Sequence, residues 1–132
     1  MATVKRFEDL ETWKLSREIC KDVFRLCQKP EISRDFSLQD QMKRSSGSIM
    51  DNIAEGFERG GNKEFMHFLY IAKGSSGELR SQLYRALDRN FLSQEEFEAI
   101  KERVLCESNS LGKLIVYLKT SEYKGHKHSH ED

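Results

Sequence analysis

Pro30 is the only proline in the chain, and from there to the C-terminus no residue of its kind recurs. Proline removes a backbone donor and biases its predecessor away from the helical basin, so a helix starting near Glu8 has to end around Lys29. Downstream the strongest punctuation is Gly60-Gly61 and Asn90. Between these marks the apolar residues recur at helical spacing, and no segment shows the strict alternation of a half-buried strand. The first segment places Leu10, Trp13, Cys20, Val23, Phe24 and Cys27 on one face, and Leu15, Ile19 and Leu26 widen it past half the circumference. One neighbouring helix cannot cover so wide a face.

A second helix is predicted from about Ser37 to Arg59, with Ser37 and Asp40 as capping acceptors and Met42, Ile49, Ile53 and Phe57 turned inward. Gly60-Gly61 supplies the left-handed geometry that ends it. Asn62 is placed to cap a third helix that buries Phe65, Phe68, Leu69, Ala72, Leu79, Leu83 and Leu87 and stops at Asn90. Ser93 and Glu96 form an S-x-x-E capping box for a fourth, whose seam is Phe97, Ile100, Val104, Leu111, Leu114, Ile115 and Leu118, to about Thr120. Short turns make sequential helices antiparallel neighbours, so the expectation is an all-α, antiparallel up-down-up-down four-helix bundle. It forms one domain over residues 1–121, followed at 122–132 by a polar, His-containing tail expected to be disordered.

Composition narrows the function classes. The 22 basic side chains balance 22 acidic ones, so no global field draws the chain to nucleic acid or membrane, and binding has to come from local patches. No apolar run approaches the roughly 18 residues of a membrane span, and the polar N-terminus lacks a signal-peptide core; a cytoplasmic protein is expected. Cys20 and Cys27 lie about 10 Å apart along one helix, beyond disulfide reach. Cys106 has no evident mate, and all three read as reduced core fillers.

Folding the second and third helices back around residues 60 and 61 sets Ser45-Ser46 level with Ser75-Ser76, where small side chains allow a close helix approach. On the second helix Gln41, Ser48, Asn52, Glu55 and Arg59 form a narrow polar arc; Asn52 could cross-link helices, and Glu55 could pair with Arg59 one turn on. On the third, Met66, Tyr70, Lys73, Gly77, Arg80 and Tyr84 mix aromatics with cations on a face away from the core. Glycine inside an exposed helix costs about 1 kcal/mol against alanine. The outward Gly47, Gly74 and Gly77 therefore point to close approach by another backbone, with Tyr70 and Tyr84 in the same subunit contact. Phosphate-contacting candidates are Lys43, Arg44, Arg59, Lys63, Lys73 and Arg80, with Arg85 and Arg89 beyond them, though Asp40, Glu58, Glu64, Glu78 and Asp88 are interleaved.

The stretch Ser48-Ile49-Met50-Asp51-Asn52-Ile53-Ala54-Glu55-Gly56-Phe57-Glu58-Arg59-Gly60, followed by Lys63-Glu64-Phe65 and Ala72-Lys73-Gly74-Ser75, resembles the four helix bundle protein family, the intervening-sequence proteins of large-subunit ribosomal RNA genes. The resemblance begins at Phe7-Glu8-Asp9-Leu10-Glu11-Thr12-Trp13, passes through Gln41 and Arg44, and extends to Gly77-Glu78-Leu79-Arg80-Ser81-Gln82-Leu83. It implies the fold, a structural role for Ser48, Asn52, Glu55 and Gly56, and ring-like pentamers. It implies no reaction, because the name records where some of the genes sit. The related accessory variability proteins of diversity-generating retroelements are similar in fold, a precedent for a pentameric bundle working with a reverse transcriptase and nucleic acid. The partners to expect are further copies of the chain, structured RNA or DNA, and a reverse transcriptase or another protein encoded nearby.

Enzymatic readings find little support in the residues. His67 is the sole histidine in the body of the chain, so a nucleophile has little chance of a histidine base and orienting acid. Glu64-Phe65-Met66-His67 spells the E-x-x-H of di-iron bundles, but that site needs two such motifs and two more inward carboxylates. His126, His128 and His130 lack the ligand set of a closed zinc site. No catalytic residue, metal or cofactor is expected. The protein reads as a non-catalytic binding or scaffold bundle.

Overall fold

A computed structural model describes residues 4–124 of the chain. Over these residues a 3-10 turn at Phe7–Asp9 is followed by α1 (Glu11–Cys27), α2 (Pro30–Ser33), α3 (Phe36–Arg59), α4 (Asn62–Asp88) and α5 (Gln94–Lys124), with no strand among them. Of the tail expected at 122–132, residues 122–124 continue α5, and the rest, with its histidines, lies outside the described residues.

Pro30 ends α1 and also starts α2. Lys29 is extended before it, and the proline takes the first position of a one-turn helix, where its missing amide proton costs nothing. That turn buries Ile32 completely. The cap of α3 is Asp35, whose carboxylate accepts the Leu38 amide at 3.1 Å, and not Ser37, which lies exposed in the first turn. Asp35 wins because Arg89 at the end of α4 also grips it, at 2.6 Å.

Gly60 ends α3 at φ 94, and Gly61 is the extended residue before α4. Asn62 is therefore the first helical residue, buried, and not the cap. Asn90 ends α4 as expected, at φ 62. The Phe91 amide bonds to Ala86 O at 3.0 Å and the Asn90 amide to Leu87 O at 2.9 Å, the paired return bonds of a Schellman motif. The capping box of α5 closes in both directions: the Glu96 amide donates to Ser93 Oγ at 3.0 Å, and the Ser93 amide to Glu96 Oε1 at 2.8 Å. The Ser93 amide and then Lys29, 3.1 Å away, hold the Glu96 carboxyl below its ordinary range.

Pairs between helices fix their directions. Ser48 meets Ser75 at 2.8 Å and Arg85 meets Gln41 at 2.8 Å, so α3 and α4 run antiparallel, with the buried serines of both helices inside the hairpin but Ser48, not Ser45 or Ser46, against Ser75. Tyr84 packs on Phe97 with centroids 4.7 Å apart, and Lys119 lies over Tyr70, which orders α4 against α5 the same way. Lys29–Glu96 and Asp22–Arg103, at 3.1 and 2.7 Å, set α1 antiparallel to α5. The Cys20 thiol donates to Ser46 O at 3.3 Å and joins α1 to α3.

Flanked by α3 and α5, α1 turns a line of Thr12, Ser16, Ile19, Val23 and Cys27 into the core. Two neighbours centre the buried face between them, and Phe24, expected inside, is left 59% exposed. Trp13 is half-buried and covered edge-to-face by Phe7, which removes part of the apolar surplus expected of this helix. The centre is closed by Met42, Ile49, Ile53, Leu69, Leu79, Leu83 and Leu111, all fully buried, while Phe57, Leu87 and Leu114 pack at its rim. Cys27 is buried and Cys20 half-buried, but Cys106 is exposed on α5 and fills no core position.

Candidate nucleic-acid and subunit interface

The polar arc of α3 is not simply solvated, because α4 runs alongside it. The Asn52 amide donates to Ser48 O at 2.8 Å and to Ser48 Oγ at 2.9 Å, and Ser48 Oγ reaches Ser75 Oγ across the hairpin. Asn52 therefore links the helices through Ser48 and not directly. Gly56, one turn further, sits hard against α4: a Cβ there would lie 2.7 Å from Phe68 Cβ and 3.3 Å from Phe65 O. Glu55 pairs with Arg59 at 2.8 Å as expected, and the Arg59 guanidinium also lies 4.9 Å over the Phe68 ring and 3.8 Å from Glu64. The motif residues thus bind the α3–α4 hairpin together.

The six candidate cations divide into two groups. Lys43 donates to Gln39 at 2.9 Å, Arg44 pairs with Asp40 at 2.9 Å, and Arg59 is held as described. Lys63 and Lys73 are exposed and Arg80 half-buried, and none of these three has a carboxylate partner among the described residues. Arg85 is taken up by Gln41 and Arg89 by Asp35. Of the six, Lys63, Lys73 and Arg80 are those left without a side-chain hydrogen bond or ion pair among the described residues.

Tyr70 and Tyr84, 50% and 46% exposed, stand on the flank of α4 that meets α5. Both already have cations over their rings, Lys119 at 6.0 Å from Tyr70 and Lys101 at 5.9 Å from Tyr84, so part of their aromatic surface is engaged within the chain. Between them Lys73 lies against Gly112, its Cε 3.6 Å from where a Cβ would stand. The α4 stretch 65–77 contains no Asp or Glu, and neither does the α5 stretch 108–120 that runs level with it. Lys73, Lys113 and Lys119 stand on these stretches with exposed Tyr70, Ile71, Val116 and Tyr117. Gly47, Gly74 and Gly77 meet nothing within 4 Å, so no contact among the described residues accounts for them.

Sequence reasoning missed Glu107. It lies fully buried on the core face of α5, and no hydrogen-bond donor among the described residues reaches either carboxylate oxygen. Burial pushes its carboxyl up to about 8. The signal was present in the spacing, since Glu107 falls three residues after Val104 and four before Leu111 on the predicted seam. His67 is exposed, apart from the core, as expected. No cluster of three or more potential metal ligands occurs among the described residues, and no helix there is long and apolar enough to cross a membrane.

Fold and surface together define an all-helical bundle of four long helices and one short one, whose exposed α4–α5 chemistry is cationic and aromatic. The chain belongs to the 23S rRNA-intervening sequence protein family, which it matches over residues 8–113. It is similar to a crystallised protein of unknown function from the S23 ribosomal protein family of Bacteroides thetaiotaomicron, with a TM-score of 0.74 and 22% identity over 79% of this chain and 97% of that one. Identity that low speaks for the fold alone. No curated protein matches the sequence.

Proposed function

We propose that the protein is a self-associating, non-catalytic helical bundle that binds the phosphate backbone of structured RNA or DNA through the α4–α5 face. What carries this reading is the pairing of the acid-free stretches 65–77 and 108–120, which set Lys73 and Lys119 at the α4–α5 contact, carry Lys113 as well, and bring no carboxylate of their own. Cations neutralise phosphates without reading bases, and half-exposed tyrosines beside them offer stacking surfaces. Arg80, also unpaired, extends the face toward Tyr84. The family's link to ribosomal RNA genes agrees in kind of ligand.

Self-association belongs to the same reading. Gly74 and Gly77 leave open helix surface beside Tyr70 and Ile71, and a ring of five copies, as the family resemblance implies, would repeat weak phosphate sites and multiply their effect.

The test is retardation of a structured RNA and a duplex DNA across a salt series, with sedimentation in parallel. Affinity should fall with salt at a slope of about 0.7 to 0.9 per phosphate neutralised, with little dependence on base sequence. Lys73→Glu with Arg80→Glu should abolish retardation while the helical content and oligomer size hold. Failure of the parent protein to retard either nucleic acid at low salt would falsify the binding assignment. A partner protein encoded nearby, such as a reverse transcriptase, would then be the reading to pursue, with the exposed Phe24 and Phe36 as its contact candidates.

A further inference from the structure

Contacts between helices place Glu107 within a level of small polar residues. Lys73 touches the Gly112 position, so Glu107, five residues earlier on α5, lies level with Ser75, Ser76 and Leu79 of α4. Ser48 meets Ser75, and Cys20 meets Ser46, which brings Ser45, Ser46 and Ile49 of α3 to the same height. Arg103 holds Asp22, so one turn on Glu107 lies level with Ser16 and Ile19 of α1. Ser16, Ser45, Ser46, Ser75 and Ser76 are all buried. Three of their hydroxyls donate to their own helices, Ser16 to Trp13 O, Ser46 to Lys43 O and Ser76 to Lys73 O, and so are not spent on Glu107.

We propose that Glu107 is a pH-operated latch in the core: closed as a neutral carboxylic acid at this serine level, and opening the α1–α5 seam to water when it ionises. A fully buried carboxylate with neither protein donor nor counter-ion is too costly to keep charged, and the ordinary outcome is retention of the proton. The groups around it offer no compensation. From α1 the titratable group turned partly inward near this height is the half-buried Cys20 thiol; Arg17, Glu18 and Lys21 are exposed, and Asp22, a turn away, is already tied to Arg103 and Arg25. From α3 and α4 the inward residues are serines and aliphatics; Lys73 and Glu78 are exposed, and Arg80 sits half-buried on the flank. On α5 itself Arg103 and Cys106 are exposed. A cleft of about 360 Å³ between α1 and α5 is lined by Leu26, Ile100 and Arg103 among others, and Arg103 stands one turn before Glu107 on α5.

The sign of the effect follows from the direction of the shift. The folded chain holds this proton to a higher pH than the unfolded chain does, its carboxyl standing at about 8 against an ordinary 4.5. The stabilisation is therefore complete below the ordinary value and is lost as pH rises toward about 8. Each pH unit inside that window lowers the folding constant by up to about tenfold.

The experiment is urea unfolding of the full chain and of Glu107→Gln between about pH 5 and pH 8.5. The parent should lose at least about tenfold in folding constant between pH 5.5 and 7.5 beyond any change in the variant, which keeps the shape and removes the titration. Identical pH profiles overturn the proposal. If the Gln variant does not fold, infrared spectroscopy of the parent decides: a carboxylic acid band persisting at pH 7 and vanishing above pH 9 supports the latch, and its absence at pH 7 refutes it.

Discussion

Gly56 and Gly47 sit on the same helix and differ in what stands before them, so replacing each with alanine isolates the α3–α4 approach. At Gly56 the new methyl carbon would lie 2.7 Å from Phe68 Cβ and 3.1 Å from Phe65 Cδ1. Carbon atoms rest about 3.5 to 4.0 Å apart, so α3 and α4 must separate by roughly an ångström or tilt. Phe68 Cβ is fixed to its backbone and cannot swing aside. Overpacking of this kind costs about 1 to 3 kcal/mol. At Gly47 nothing lies within 4 Å. Both substitutions gain about 1 kcal/mol of helix propensity, and that gain cancels when they are compared. Gly56→Ala should therefore be less stable than Gly47→Ala by about 1 to 3 kcal/mol, whatever its sign against the parent. Urea unfolding followed by circular dichroism measures this, with oligomer size recorded for each protein. Equal stability of the two variants refutes the close approach at Gly56.

Further outcomes follow from other residues. Ser93→Ala removes the acceptor for the Glu96 amide and should destabilise the bundle by about 1 kcal/mol, seen as fraying at the start of α5 by hydrogen exchange. Ser76→Leu places a large side chain at a fully buried position and should cost about 1 to 3 kcal/mol; a melting point equal to the parent's would mean that the serine level has spare room. Gly77→Glu should shrink the assembly in sedimentation while leaving helical content intact, and a parent that is itself a clean monomer at micromolar concentration would remove the interface assignment.

What could be read from the sequence was local. Gly60, Asn90 and the Ser93–Glu96 box act on bonds within a few residues, and each takes its expected conformation. Ser37 and Asn62 failed as caps because the choice among adjacent candidates is made elsewhere: Arg89, distant in sequence, fixes Asp35, and Gly61 offers an extended position that Asn62 need not take. Phe24 failed for a related reason. The centre of a wide apolar face depends on where two neighbours stand, and wheel geometry alone does not contain them. For the site, the α3 arc was recognised, but its contact with α4 was not, since the register of Ser48 on Ser75 is a property of the hairpin. Glu107 was hidden by the habit of reading a charged residue as solvated, although the spacing of Val104, Glu107 and Leu111 put it inside.

Balanced composition also concealed a segregation. With 22 cations against 22 anions, the chain as a whole exerts no field, and Glu and Asp interrupt the basic clusters when they are read in order. Folding changes the neighbours. Where Arg44 and Arg59 lie near carboxylates on their own helix, the structure pairs them off and cancels them. The acid-free stretch 65–77 of α4 instead meets the acid-free stretch 108–120 of α5, and Lys73 and Lys119 are left with a glycine and an aromatic ring for company. Local potential decides phosphate binding over distances of about a Debye length, near 10 Å at 0.1 M salt. A neutral net charge therefore does not oppose phosphate binding on this face, whereas the outer faces of α1 and α3 carry no such local excess of cations. A phosphate-binding reading confined to α4–α5 makes the stronger demand: charge reversal at Lys43 and Arg44 should leave retardation nearly unchanged, and reversal at Lys73 and Lys119 should abolish it. Equal losses from both pairs would mean a diffuse, unspecific attraction and would remove α4–α5 as the site.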